Sequence, residues 1–537
     1  MKNVMLLDCT LRDGGRIIDC SFNDKEIKEL SDGLSDSHID VIEVGFLRDW
    51  RSVDYKGGST FFTDVSQIAK VIGKKNPNVI YVAFIDYGMF DFDSLKSFDG
   101  SSIDGIRFGF TKKDYNENYE DLIRCMNVIK KAGYKLFIQG VNSLNYSDME
   151  LLQLIKMVNE IKPYSFGIVD TYGAMYIDDI DRIYGLIDNN MNNDICLDFH
   201  SHNNFQMSFA LAQEVIKLSK GVRKTIIDGT LYGMGKVSGN LNLELIATYL
   251  VQKLKYNYDL DRLYDLIDDY IYKYTLNDKW GYSIPALMSG IYRSHPNNVI
   301  YLTKKFRVDS KDIGKILSLI DAEKRQRYDY ENIERIYIEY MSKKVEDCDV
   351  LDKLKRLLSG KDLLVLAPGN SLNTYRKQIE SFIIERKPIV VTINFIGGYK
   401  GEYAFFGNVK RYKNVKSPND HIILTSNIKP LANELVVNYQ NLIERGYKYF
   451  DNSMIMLLNL LKKLMPSSIY IAGFDGFNVK TKTNYMDESF QNDRHVEEFE
   501  LQNKELRAMF NNIFYSIRDR IQVVFVTPSV FCDESLL

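Results

Sequence analysis

An N-terminal (β/α)8 barrel, a helical extension and a C-terminal Rossmann-like α/β domain make up the fold class that the sequence predicts. Three observations carry this reading. Short β-rich apolar runs alternate with charged, helix-length stretches; eight such units fill about the first 250 residues, the usual size of such a barrel; and a fresh strand–turn–helix pattern opens near residue 362.

The eight runs are VMLLDC (4–9), VIEVGF (41–46), VIYVAFI (79–85), GIRFGF (105–110), KLFIQGV (135–141), SFGIVD (165–170), ICLDFH (195–200) and TIIDGT (225–230). Between them, NDKEIKELSDGLSD and YEDLIRCMNVIKKAG place apolar residues at the spacing of one buried helical face. A doubly wound open sheet shows the same alternation, so the residues at the strand ends have to choose between the two. From 251 to 355 the pattern turns to helical stretches rich in Tyr, Asp and Lys, such as DLDRLYDLIDDYIYKY and YENIERIYIEYMSKK. DLLVLA (362–367), a Gly-Asn-Ser turn and a helix from about 373 begin the last domain, with further strands at PIVVTIN (388–394), HIILTS (421–426), SIYIAGF (468–474) and QVVFVTP (522–528). The expected division is therefore 1–250, 251–355 and 356–537.

A chain of 537 residues is too long for one core, and 45% hydrophobic with 26% charged residues is an ordinary globular composition. The formal net charge of −3 gives no general attraction to nucleic acid or to an anionic membrane. Six scattered cysteines without a CxxC pair argue against a disulfide framework or a structural zinc site and fit a reducing cytoplasm. No stretch approaches the roughly 18 apolar residues of a membrane span. The reading is a cytoplasmic protein without nucleic-acid or membrane partners.

In such barrels the chemistry sits at the C-terminal ends of the strands. Here those ends are polar. The first runs into DCTLRDGGR, placing Arg12 and Asp13 just past it, and the second carries Glu43 inside an apolar run. The seventh ends in HSHNN, and the last leads into DGTLYGMGKVSGN. His200 and His202, two apart, face the same side of an extended chain and can meet one ion, or simply hydrogen-bond in a polar loop. Asp13 supplies an oxygen ligand and Asn240 a further ligand or supporting partner. Arg12 is either a structural salt bridge or the group that stabilises an enolate next to a 2-oxo acid. Glu43, costly to bury unless paired, holds Arg12, orients a metal-bound water or fixes the barrel.

At these residues the sequence resembles the metal-dependent aldolase and acyltransferase superfamily that includes 4-hydroxy-2-oxovalerate aldolase, HMG-CoA lyase and isopropylmalate synthase. TLRDG (10–14), IEVG (42–45), VDTYGAM (169–175), HSHNN (200–204) and GMGKVSGNLNLE (233–244) stand in the family's order over roughly residues 1–300. The resemblance implies Asp13, His200 and His202 as metal ligands, with Asn240 associated. It implies Arg12 as enolate stabiliser supported by Glu43. VDTYGAM resembles the 4-hydroxy-2-oxovalerate aldolase branch, in which Asp170 and Thr171 would line the substrate pocket and Tyr292 would reach in from the helical extension. That branch has a histidine where Arg16 stands here. Because Arg16 keeps its proton, it is read as binding an extra anionic group on a sugar acid or phosphorylated aldehyde. His295 is a second candidate base. The implied cofactor is a divalent metal, with Mn²⁺ expected and Mg²⁺, Co²⁺ or Zn²⁺ also compatible with N/O ligands.

LLVLAPGNSL can bring backbone N–H groups to a phosphate. Together with TINF (392–395), DNSMIMLL (451–458), YIAGFDGF (470–477), His495 and VVFVTPS (523–529), it faintly resembles bacterial sialyltransferases that use CMP-activated sugars. That implies Gly369, Asn370, Ser371 and Asn394 near a CMP- or other nucleotide-sugar, with His495 as a catalytic base. The expected function is a metal-dependent aldolase joining the enolate of pyruvate to an aldehyde, or the reverse, for a surface-polysaccharide sugar, in a homo-oligomer. An acetyl-CoA-dependent Claisen acyltransferase, or an inactive barrel scaffolding a glycosyltransferase, are the alternatives.

Overall fold

The computed structural model describes residues 3–532 except 74, 277, 305–307, 343–344, 400, 420, 479–482 and 488–495. The chain forms two compact units, Met1–Tyr330 and Glu331–Leu537.

In the first unit eight parallel strands close into a barrel. They are β1 (Val4–Asp8), β2 (Val41–Leu47), β4 (Ile80–Asp86), β5 (Gly105–Phe110), β6 (Lys135–Gly140), β7 (Ser165–Asp170), β8 (Cys196–Ser201) and β9 (Thr225–Gly229), while the two-residue β3 (Phe61–Phe62) lies outside, on β2. β1 pairs with both β9 and β2, which removes any free edge and decides for the barrel over an open sheet. Every run read from the sequence is a barrel strand.

The helices α1 (Asp24–Asp36) and α2 (Val65–Val71) open the outer layer, which α3 (Lys112–Glu117), α4 (Tyr119–Lys131), α5 (Asp148–Ile161), α6 (Ile177–Asn190), α7 (Ser208–Leu218) and α8 (Leu243–Leu254) complete. α1 shows why these segments are helical. Asn23 accepts from Glu26 N–H in a capping box, and Ile27, Leu30 and Leu34 recur at the spacing that buries one face.

Inside the barrel, alternation stacks two unlike layers. Leu7, Val41, Val82, Phe137, Cys196 and Ile226 form an apolar floor. Two residues further along, toward the C-terminal mouth, the inward positions become Glu43 on β2, Gln139 on β6, Asp198 on β8 and Asp228 on β9, all buried.

Beyond the barrel, DLDRLYDLIDDYIYKY is not one helix. It divides into an α segment (Leu260–Leu266), a π segment (Ile267–Ile271) and a 3-10 segment (Tyr272–Leu276). The helix Ile284–Ile291 then packs over the loop after β8, where Asn204 donates to the Ala286 carbonyl at 2.9 Å.

The second unit is built on a seven-stranded, all-parallel sheet. Its strands are β10 (Asp362–Leu366), β11 (Ile389–Ile393), β12 (Tyr403–Phe406), β13 (Ile422–Thr425), β14 (Leu435–Val437), β15 (Ser468–Ala472) and β16 (Gln522–Phe525), in the order β14-β13-β12-β11-β10-β15-β16. The direction of winding reverses between β10 and β15, the switch point of a doubly wound sheet. β12 and β14, of four and three residues, are additions to the five strands read from the sequence. Among the described residues no helix is long and apolar enough to cross a membrane.

The turn after β7 shows how closely the loops at the barrel mouth are fitted. Gly173 has φ +54°, and a Cβ there would come within 2.4 Å of Asn204 N and 2.7 Å of His202 O. Gly173→Ala is expected to destabilise the protein by about 1–3 kcal/mol, read as a lowered denaturation midpoint in urea.

Candidate metal centre at the barrel mouth

The end of β1 is turned by Asp8, which accepts from both the N–H and the hydroxyl of Thr10. The amides of Arg12, Asp13 and Gly14 then all converge on the Cys9 carbonyl. This tight turn holds Asp13 over the barrel, where its Oδ2 lies 3.0 Å from His202 Nε2 and 3.7 Å from His200 Nε2. The three side chains sequence reading brought together therefore meet, with candidate donor atoms all within 4.8 Å of one another.

Each imidazole is oriented from behind. His200 Nδ1 lies 3.0 Å from Asp228 Oδ2, and His202 Nδ1 lies 3.3 Å from the Asp170 carbonyl. Donation from Nδ1 leaves the Nε2 lone pair of His200 free, the arrangement typical of metal-binding histidines, whereas His202 Nε2 donates to Asp13 Oδ2 and would give up that proton to a cation. Burial pushes His200 down to about 3, so it is neutral at pH 7. Burial also opposes the charge on Asp13, but Arg12 and both histidines outweigh it and hold the carboxyl well below its ordinary value.

The metal ligands are underlain by a network that the sequence reading missed. Arg107, fully buried on β5, bonds Glu43 Oε2 at 3.2 Å, Asp198 Oδ2 at 3.0 Å and Asp228 Oδ2 at 2.5 Å. Gln139 donates to Asp198 at 2.6 Å. Arg12 joins the same ring, through Nε to Glu43 at 2.6 Å and through Nη1 to Asp13 at 2.7 Å. Its Nη2 has no hydrogen bond among the described residues, and Arg12 lines the cavity above the ring. The available signal was a polar residue two positions after an apolar one in strand after strand.

The donors present fit a divalent cation. In the ion-paired ring the guanidinium groups of Arg12 and Arg107 face four carboxylates, Asp13, Glu43, Asp198 and Asp228; Arg16 adds a third cation at Asp13, and burial lifts Asp198 to about 7. Asn240 is bridged to His202 through the backbone, and its buried Oδ1 has no hydrogen-bond donor among the described residues. Glu43 Oε1, Asp198 Oδ1 and Asp228 Oδ1 share that condition. A second cluster, Cys9, His200 and Asp228, is also compact. It fits less well, because Cys9 donates to the Gly229 carbonyl and burial pushes its thiol well above the usual range, whereas metal binding needs the thiolate.

A cavity of about 930 Å³ opens above these groups. Arg16 lines it, with Nε 3.2 Å from Asp13 Oδ1, and so does Thr171, whose hydroxyl accepts from Asn142 N–H. Asp170 does not serve as the substrate contact expected of it. Its carboxylate is buried and accepts from the amides of Ala174 and Met175, so it shapes the turn and, through its carbonyl, positions His202. Tyr292 is also placed differently from the expectation. It lies against Gly314 and under Arg325, outside the residues lining the cavity. His295 does line it, and its Nδ1 accepts from Asn297 N–H. That contact puts the ring proton on Nε2, making a hydrogen-bond donor of the side chain expected to be a base.

In the second unit the Gly-Asn-Ser turn lies at the switch point, but the amides of Gly369 and Ser371 are already used. Ser371 N–H donates to Asp475 at 2.7 Å and Gly369 N–H to the Gly473 carbonyl at 2.9 Å. A Cβ on Gly369 would meet that carbonyl at 2.3 Å. A carboxylate thus stands where the sequence led us to expect a phosphate. Asn394 ties β11 to its surroundings, donating to Ser453 and accepting from Gly407 N–H. Asn370 follows Gly369 in the same turn, and His495 lies outside the described residues.

A parallel barrel with a carboxylate and two backed imidazoles at its C-terminal mouth defines a (β/α)8 protein with a candidate metal site among its strand-end residues. Residues 3–269 match the HMGL-like family, and this part of the chain belongs to it. The chain is 24% identical over 325 residues to a 4-hydroxy-2-oxovalerate aldolase of Carboxydothermus hydrogenoformans, covering 58% of this chain and 90% of the relative. It is also 24% identical over 269 residues to a homocitrate synthase of Pyrococcus abyssi, covering 48% and 69%. Among solved structures, the HMG-CoA lyase of Brucella melitensis is similar at 15% identity with a TM-score of 0.40, over 49% of this chain and 95% of that one.

Two outcomes are expected at this centre. Arg107→Met, which strands buried carboxylates, should cost about 3–5 kcal/mol in chemical denaturation. Asp13→Asn and His202→Ala should each weaken Mn²⁺ binding at least about tenfold, measured by the loss of the free Mn²⁺ electron paramagnetic resonance signal on titration with protein.

Proposed function

We propose that the barrel is a divalent-metal-dependent aldolase that forms or cleaves the carbon–carbon bond next to a 2-oxo acid, with pyruvate as the enolate donor and an aldehyde as its partner. One observation carries the reading. Asp13, His200 and His202, whose donor atoms cluster, line the same cavity as Arg12, whose Nη2 has no hydrogen bond among the described residues. A cation held by Asp13, His200 and His202, with Asn240 beside them, would supply Lewis-acid polarisation of the 2-oxo acid's oxygens.

The side chains do the rest. Arg12 keeps its charge despite burial because Glu43 and Asp13 flank it. Its free amino group is therefore a fixed positive donor for charge that develops on the enolate oxygen, and it reorganises little during reaction because two of its three nitrogens are already bonded. Glu43 acts through Arg12 and is a positioning residue. Thr171 offers a hydroxyl proton to the substrate, since its oxygen already accepts from Asn142 N–H. His295 offers Nε2–H. The matched relatives named 4-hydroxy-2-oxovalerate aldolase support this branch; those named homocitrate synthase and 2-isopropylmalate synthase keep acyl transfer from acetyl-CoA as the alternative. Against the alternative, Gly-Gly-Arg follows Asp13 where the synthases carry Gly-Glu-Gln. Support for nucleotide-sugar binding by the second unit is confined to its sheet order and switch point, because Asp475 takes the turn amide of Ser371.

The test is solvent exchange. With Mn²⁺, Mg²⁺, Co²⁺ or Zn²⁺ and pyruvate in deuterated water, the methyl protons should exchange, followed by proton NMR. Arg12→Met should slow that exchange by about 100-fold or more. Absence of exchange with all four metals overturns the aldolase reading, and thiol release from acetyl-CoA with 2-oxo acids would establish the alternative.

A further inference from the structure

Outside the buried ring, six lysines and arginines line the cavity against three carboxylates, in a chain whose formal net charge is −3. The excess is not spread evenly over the wall. Arg16, Lys236 and His295 come from three separate segments, the turn after β1, the loop after β9 and the start of the helix Pro296–Lys304, yet all line the one cavity. Lys236 is half-buried and its ammonium makes no hydrogen bond or ion pair among the described residues. Asp13 and Asp19 are near enough to act on its charge, but neither reaches ion-pair distance. Arg16 touches Asp13 and, at 3.8 Å, Asp86, while its guanidinium rests over the Phe46 ring at 4.6 Å. Burial and Arg16 lower Lys236, and burial, Lys236 and Arg16 bring His295 down to about 4. Lys236, which no carboxylate reaches, stands with Arg16, partly engaged by Asp13 and Asp86, and with the neutral N–H donor of His295, and together they form a site short of an anion.

The geometry points to an anion subsite formed by Arg16, Lys236 and His295 that holds a terminal charged group on the acceptor aldehyde, remote from its reacting carbonyl. This rests on the aldolase reading, and it narrows the aldehyde to one that carries a phosphate or a carboxylate. A phosphate can accept from all three groups, with His295 Nε2–H as the third donor, whereas a carboxylate offers two oxygens.

Two measurements on the metal-loaded full-length chain test the subsite. In the first, pyruvate is paired with D-glyceraldehyde 3-phosphate, succinic semialdehyde, D-glyceraldehyde and acetaldehyde. At least one charged aldehyde should exceed the neutral ones in kcat/KM by about tenfold or more, chiefly through KM. The favoured one identifies the anion. Lys236→Met should collapse that ratio by about tenfold and Lys236→Arg should restore most of it. In the second, inorganic phosphate is titrated calorimetrically, and Lys236→Met should weaken its binding by about tenfold. Equal kcat/KM for charged and neutral aldehydes, while pyruvate still exchanges its methyl protons, overturns the subsite and leaves the aldolase reading standing. If pyruvate does not exchange, the aldolase reading falls, and the phosphate titration alone decides the subsite. Phosphate binding that is absent or indifferent to Lys236 then overturns it.

Discussion

The barrel mouth depends on one buried guanidinium. Arg107 reaches carboxylates from β2, β8 and β9, and each of those carboxylates holds something else in turn. Glu43 holds Arg12, Asp228 holds His200 and Asp198 holds Gln139. A charge at this depth is tolerated because three carboxylates surround it, and the geometry of the candidate ligands follows from that pairing. The orientation of His200 is thus determined partly by β5, a strand that contributes no ligand.

Much of this fold was legible because its strands are buried on both faces and read as continuous apolar runs. All eight barrel strands stood out, and Asp13, His200 and His202 could be picked from strand-end position and i, i+2 spacing alone. The buried ring was harder to see. Arg107 sits in GIRFGF and Asp228 in TIIDGT, where a single charge reads as an exception to an apolar run; only the closed barrel shows that these exceptions share a layer. Asp170 illustrates the converse. Its place at a strand end suggested a substrate contact, but two backbone amides of its own turn claim its carboxylate. Local competition of this kind leaves no mark on spacing.

The second unit carries the same lesson for phosphate motifs. The strand–turn–helix at APGNSL has the composition of an anion cradle, yet Asp475, more than one hundred positions later, supplies the anion from within the chain. A Gly-Asn-Ser turn records only that the backbone is tight and its amides exposed to a partner; it does not say which partner. Likewise β12 and β14 are strands that pair in parallel with neighbours in the sheet, β12 with β11 and β13, and β14 with β13.

The cavity wall has two origins. Its floor is assembled from strand ends spread through the first 240 residues, whereas Ser289, His295, Gln326 and Arg327 come from the segment that follows the barrel. Floor and roof therefore lie on separate stretches of polypeptide and answer to different constraints: the floor is locked by interlinked buried charges, while the roof is not part of that lattice. Divergence can rewrite which molecule the chamber admits by altering the later stretch, with the ion-holding apparatus inherited intact.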